Sequence, residues 1–285
     1  MLHARVMIQI GKYNRLKVLH ETQSGYYLDG EHLGEILLPG AQAPKDLAWG
    51  SEIEVFLYPD SEDRLVATTQ KPKATAGEFA ALEVLSVHPR IGAFLDWGLG
   101  KDLLLPYREQ GAERVAEGDR VVVCVLFDER SSRLIASTRL ARHMRKTPPP
   151  FTSGQRVSFL VSHRTPLGYQ AIVEDGYSGL LYHSGLGSTV RPGERLEGYV
   201  TGLRPDGKVD LSLDPGGPRR TGDLAEQILE ALEAHDGRLP YDDYSSPDEI
   251  RAQFDTSKKA FKRALATLYK ARRIRFPEAG GIERA

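Results

Sequence analysis

Cysteine, long apolar runs and net charge are what this chain of 285 residues has least of. Its single cysteine, Cys124, cannot close an internal disulfide. The run Val121-Val122-Val123-Cys124-Val125-Leu126-Phe127 predicts a small buried side chain there rather than a reactive thiol. No stretch of about 18 apolar residues occurs, which argues against a membrane-spanning helix. Met1 to Gln9 carries His3 and Arg5 with no apolar run behind them, so no secretory signal is expected and the predicted location is cytoplasmic. A formal net charge of −1 argues against a polycation that coats nucleic acid through its overall field. The average conceals one basic stretch: Thr256 to Arg275 holds Lys258, Lys259, Lys262, Arg263, Lys270, Arg272, Arg273 and Arg275, and no acid.

Catalytic signatures are equally scarce. Gly202-Leu203-Arg204-Pro205-Asp206-Gly207-Lys208-Val209 has the spacing of a phosphate-binding loop, but Val209 stands where a magnesium-binding Ser or Thr is needed, and no helix follows. Gly185-Leu186-Gly187-Ser188-Thr189-Val190 lacks the third glycine of a dinucleotide fingerprint and reads as a loop. The histidines are scattered, with no His-Glu-x-x-His pattern and no cysteine partners for zinc. Asp242 and Asp243 are adjacent but lack a third ligand, and read as turn or capping residues. We expect no catalysis, no cofactor and no metal. A catalytic set assembled from distant residues would leave no local signature, so an RNA-processing enzyme with dispersed residues stays among the alternatives.

What organises the chain is a repeat. Each of three units has a short Gly-led strand: Gly25-Tyr26-Tyr27-Leu28-Asp29, Gly92-Ala93-Phe94-Leu95-Asp96, and Gly168-Tyr169-Gln170-Ala171-Ile172. The next strands are Gly34 to Pro39, Lys101 to Pro106 and Ser178 to His183, and each unit closes with a strand pair that begins at Gly50, Gly118 or Gly193. These glycines lie 68 and 75 residues apart, a spacing that suits a small five-stranded barrel rather than a solenoid turn. Alternation supports strands: Val209, Leu211 and Leu213 point one way, Asp210 and Ser212 the other. Lys71-Pro72-Lys73, Thr147-Pro148-Pro149-Pro150 and Asp214-Pro215-Gly216-Gly217-Pro218 read as connectors. The predicted domains are 1–73, 74–146, 147–217 and 218–285.

The repeat resembles the ribosomal S-one-type RNA-binding module, an OB-fold barrel. The resemblance implies aromatic residues on the barrel face that stack on bases, with basic neighbours that hold phosphates. By equivalent position the candidates are Tyr27 and Phe94, with Tyr169 one position off where Gln170 replaces the aromatic. Trp97, Lys101, Tyr107 and Arg108 add candidates in the second unit, and Tyr182 and His183 in the third.

From Thr221 the period becomes helical. Leu224, Ile228, Leu229 and Leu232 predict a helix capped by Asp223 and stopped at Gly237. Ser246-Pro247-Asp248-Glu249 opens a second helix, and a third beginning after Asp255 or Thr256 would turn Ala260, Phe261, Ala264, Leu265, Leu268 and Tyr269 inward. Ile274-Arg275-Phe276 and Gly280-Gly281 suggest a strand and wing. The expected architecture is therefore mainly β with a C-terminal α/β part: three tandem five-stranded OB barrels, then a winged helix-turn-helix. Lys258, Lys259, Lys262, Arg263, Lys270 and Arg273 are the phosphate-binding candidates of this last domain.

The stretch Gly237-Arg238-Leu239-Pro240-Tyr241, then Ser245-Ser246-Pro247, Ser257 to Ala264, Leu268-Tyr269-Lys270 and Ile274, is similar to the C-terminal signature of the bacterial conserved virulence factor B family. That resemblance covers essentially the whole chain and implies a cytoplasmic RNA-binding protein that influences gene expression post-transcriptionally. Single-stranded RNA is the expected partner. DNA, read by the winged helix of a transcriptional regulator, and a scaffold role on the ribosome are the alternatives.

Overall fold

The computed structural model describes residues 7–111, 114–183, 190–213, 218–254, 256–277 and 280–285, and of residues 218–223 the backbone only. The loop expected at Gly185 to Thr189 and the connector at Asp214 to Gly217 lie outside the described residues.

Alternating apolar residues build three closed barrels. The first comprises β1 (Tyr13–Thr22), β2 (Gly25–Asp29), β3 (Glu35–Pro39), β4 (Glu52–Pro59) and β5 (Leu65–Thr68). The second comprises β6 (Phe79–His88), β7 (Gly92–Asp96), β8 (Leu103–Pro106), β9 (Arg120–Asp128) and β10 (Arg133–Ser137), and the third β11 (Arg156–Arg164), β12 (Gly168–Val173), β13 (Tyr177–Tyr182), β14 (Arg195–Leu203) and β15 (Val209–Ser212). All three close in one order: first strand, second, third, fifth, fourth. In the first barrel Leu16, Val18, Leu28, Ile36, Leu38, Val55, Leu57 and Ala67 fill the interior.

The repeat is carried by shared backbone devices. Gly50, Gly118 and Gly193 all take positive φ, at 78°, 83° and 87°, a conformation that favours glycine. Their N–H groups donate to the carbonyls of Val18, Val84 and Val161 at 3.0, 2.9 and 2.8 Å. Directly after each of those valines the first strand bulges, shifting the register at 18/20, 84/86 and 161/163.

The chain divides into two compact units, and the division runs through the third barrel: its strands from Ser158 to Leu180 go with the first unit, and those from Glu197 with the second. Within the first unit the leading barrels share an interior. Phe56, Tyr58 and Val66 join Leu82, Val84, Leu95, Trp97, Leu103, Val123 and Val125 in one cluster. Val122 and Cys124, on the opposite face of β9, pack with Phe79 against Leu160 and Ile172. The apolar run around Cys124 is continuous because β9 is buried on both faces. Burial pushes the Cys124 thiol up to about 12.

In the second unit α1 (Pro218–Ala234), β16 (Arg238–Leu239), α2 (Pro247–Phe254), α3 (Lys258–Lys270), β17 (Ile274–Arg275) and β18 (Ile282–Arg284) form three helices on a small sheet ordered β16-β18-β17. Leu224, Ile228 and Leu232 meet Ile250, Phe254, Phe261, Leu265 and Leu268 in its core. The α2 start is a capping box: Glu249 N–H donates to Ser246 Oγ at 3.2 Å, and Ser246 N–H to Glu249 Oε2 at 2.8 Å. Two expectations are corrected. The helix α1 starts at Pro218, so Asp223 is an interior position and not the N-cap; proline fits a first turn, where its missing N–H has no partner to lose. Tyr269 is 56% exposed instead of facing the core, because it lies in the last turn of α3.

Candidate nucleic-acid interface

The bulges decide which residues share the outer barrel face. Beyond each bulge His20, Ser86 and His163 stand opposite Tyr27, Phe94 and Gln170. Tyr27 then pairs with Leu37 and Leu37 with Val66; Phe94 pairs with Leu104 and Leu104 with Ile135. Leu28 and Leu95 are wholly buried, so by alternation Tyr27 and Phe94, both half-buried, turn outward. The glycine that opens each of these strands has a steric cause. At Gly25 and Gly92, φ is 137° and 142°, and a Cβ would collide with the carbonyl oxygen of Leu38 or Leu105 on the neighbouring strand.

The surroundings of the aromatics differ between barrels. In the first, the His20 ring stacks on Tyr27 with centroids 4.9 Å apart, and His20 Nε2 lies 2.9 Å from Glu35. In the second, Tyr107 donates its hydroxyl to the His88 carbonyl at 3.0 Å, and the Arg114 guanidinium lies 4.4 Å from the ring centroid. Arg108 reaches Asp128 at 2.6 Å. In the third, Tyr169 is half-buried opposite Arg164, and His183 is half-buried at the end of β13. Tyr182 donates to Asp210 at 3.0 Å, and that hydrogen bond to a carboxylate raises its phenol above the usual range.

Two of the expected site residues are taken up by packing. Trp97 is 2% exposed, stands edge-on to Phe56 and Tyr58, and donates Nε1–H to the Lys101 carbonyl at 2.5 Å. It is an interior residue shared by two barrels and offers no open face to a base. Lys101 donates Nζ–H to the carbonyls of Pro59 at 3.2 Å and Asp60 at 2.5 Å, with Asp63 at 3.6 Å. Asp63 also pairs with Arg133, which holds its carboxyl below the usual range. Lys101 therefore ties the second barrel to the β4–β5 turn of the first.

On the winged helix, Ser257 caps α3 by accepting the Ala260 N–H at 3.3 Å. Lys259, Lys262, Arg263, Lys270 and Arg273 are exposed. Lys258 is half-buried and donates to the Tyr244 carbonyl at 3.3 Å, and Lys262 lies 3.6 Å from Asp243. Among the described residues Lys259, Arg263, Lys270 and Arg273 form no ion pair. Asp242 accepts N–H bonds from Tyr244, Ser245 and Gly281 at 2.8, 3.2 and 3.0 Å, which fastens the turn before α2 to the wing. Among the described residues no three His, Cys, Asp or Glu side chains are grouped to hold a metal, and no helix is long and apolar enough to cross a membrane.

Sequence reasoning missed the row members His20, Ser86 and His163, since their place depends on a bulge. It also missed the exposed Trp49, Ile91 and Tyr244, at 81%, 46% and 86%. Hydrophobic residues of that size in loops carry no periodic signal.

Three barrels of one topology, each with an outward row beyond a bulge, joined to a winged helix with a basic third helix, define a nucleic-acid-binding protein. The S1 domain family model matches residues 10–70, and the CvfB-like winged helix domain model residues 226–283. The chain belongs to the conserved virulence factor B family: it is 32% identical over 270 residues to YitL of Bacillus subtilis, covering 91% of this chain and 89% of that one. It is also 28% identical over 282 residues to conserved virulence factor B of Staphylococcus haemolyticus, covering 96% and 93%. A solved multidomain protein with nucleic acid binding domains from Streptococcus pneumoniae is 25% identical, with a TM-score of 0.43 over 97% of this chain and 98% of its own.

Proposed function

We propose that the chain is a non-catalytic, cytoplasmic RNA-binding protein that regulates gene expression post-transcriptionally, acting through four domains at 1–73, 74–146, 147–217 and 218–285. Single-stranded RNA stacks on Tyr27, Phe94, Tyr107, Tyr169 and Tyr182. Arg108, His183 and the α3 cations Lys258, Lys259, Lys262, Arg263, Lys270 and Arg273 contact phosphates. The observation that carries this reading is the recurrence of an outward aromatic at one register position in two barrels, behind a glycine held against the next strand. Every base has a π face, so such a ring captures a single strand with little sequence preference, at about 1–3 kcal/mol per base. Linking several weak sites on one chain raises the effective concentration at each, which lets a nearly neutral protein bind usefully.

The test is fluorescence anisotropy of the full chain with labelled single-stranded RNA and duplex DNA of matched length at several salt concentrations. RNA binding that outlasts moderate salt supports stacking on the barrels. One observation favours a second reading, duplex DNA bound by the winged helix: the cations that form no ion pair among the described residues lie on exposed positions of α3 and the turn after it. Preference for the duplex with a steep salt slope would favour it. Metal-dependent loss of labelled RNA would point to an enzyme, and co-sedimentation without RNA binding to a ribosome-associated scaffold.

A further inference from the structure

We infer that the winged helix carries its own base-stacking site, made by Tyr269 and Phe276, which takes an unpaired nucleotide of single-stranded RNA. The inference deepens the RNA-binding reading and rests on it. Tyr269 and Phe276 are 56% and 44% exposed, and their ring centroids lie 5.5 Å apart at an interplanar angle of 47°. Two neighbouring aromatic rings in water are an unfilled apolar surface, and their tilt leaves part of each face open.

The pair is positioned, not loose. After the last turn of α3 the chain reverses, with N–H bonds from Ala271 to the Thr267 carbonyl, Arg272 to Tyr269 and Arg273 to Leu268 at 3.0, 3.0 and 2.9 Å. Arg272 takes the left-handed conformation, φ 54°, to complete that reversal. Ile274, 2% exposed, anchors β17 in the core, and Arg275 pairs in register with Glu283, so Phe276 is delivered back beside Tyr269.

Charge selects the occupant. Lys270, Arg272 and Arg273 lie between the two rings in sequence, all exposed and without an ion pair among the described residues, while Arg275 is held by Glu283 at 3.0 Å. An apolar protein segment would gain nothing from three exposed cations, whereas a polyanion that also carries flat rings uses both features. Tyr269 lies seven residues after Lys262, two helical turns along neighbouring positions of α3. A backbone gripped by Lys259 and Lys262 is thereby led to the rings.

The experiment uses the full chain, a labelled oligouridine RNA and the matched duplex DNA. Tyr269→Ala and Phe276→Ala are each expected to weaken RNA binding by about ten-fold with an unchanged salt slope, and Tyr269→Phe to retain it. Arg273→Ala should lower the salt slope by about 0.7. Thermal unfolding shows whether each variant keeps its fold; Tyr269→Ser serves if the alanine variant does not. A 4-thiouridine oligomer should crosslink to this pair. Wild-type binding with both aromatic variants unchanged and no crosslink there would overturn this inference alone. Absence of RNA binding by the wild-type chain would overturn the underlying reading together with it.

Discussion

Replacing Lys101 by alanine separates two roles that one lysine could play. Its ammonium donates to two backbone carbonyls of the first barrel, at 3.2 and 2.5 Å, while its side chain is 30% exposed. Hydrogen bonds from a charged donor contribute about 1.5–3 kcal/mol each. Taking the low end, and discounting for the part of the side chain that water reaches, the loss is about 2 kcal/mol. The Asp63 contact adds little, since that carboxylate is open to solvent. For a folding unit of roughly 150–250 residues this corresponds to a fall in Tm of about 4–8 °C. Thermal unfolding followed by tryptophan emission reads it directly. Trp97 is buried beside the clamp and Trp49 is 81% exposed, so a Trp49→Phe background isolates the buried reporter. RNA affinity should be unchanged where the variant is folded. An unaltered Tm together with weakened RNA binding would refute the clamp and return Lys101 to the phosphate contacts.

Phe94→Ala should leave the fold intact and weaken single-stranded RNA binding by about ten-fold, with the salt slope unchanged, because the lost part is stacking; titration at three salt concentrations checks this. Lys262→Ala or Arg263→Ala should instead lower the slope by about 0.7 for single strands, measured the same way. Cys124 should resist a thiol reagent in the native protein at pH 8 and react on unfolding in urea. Burial raises its folded pKa to about 12, whereas an unfolded thiol titrates near ~8.5. The folded state thus keeps a proton that the unfolded state releases, and this contribution to stability is intact below about pH 8.5 and erodes as the pH rises toward 12. Above about pH 8.5 the urea midpoint of the wild type should therefore fall more steeply with pH than that of Cys124→Ala, which lacks the group.

The barrels were legible because their signals are local. A glycine against the neighbouring strand, alternation on β15, and a glycine at each strand-four entry are all backbone requirements that only certain residues meet. The second helix of the last domain was legible for the same reason, down to its Ser246 cap, whereas the Ser257 cap of α3 was not read. What was hidden depends on neighbours in space. Nothing in the pattern around Trp97 distinguishes an aromatic that faces solvent from one that closes a second barrel's interior, and Lys101 looked like any surface cation. Tyr269 matched the inner-face spacing four residues after Leu265, yet at the end of α3 the core has already run out. Pro218 looked like the end of a connector, although proline is equally at home opening a helix.

The interior shared by Phe56, Tyr58 and Trp97 makes the first two repeats complementary rather than interchangeable. Beads on a string can be cut apart or reordered and each keeps its character. Here an excised first barrel would present Phe56 and Tyr58 to water, and an excised second barrel would present Trp97 and leave Lys101 without its carbonyls. Truncations made to map the activity of individual domains should therefore keep these two barrels together, since a silent single-barrel fragment would report a wounded surface and not a missing function.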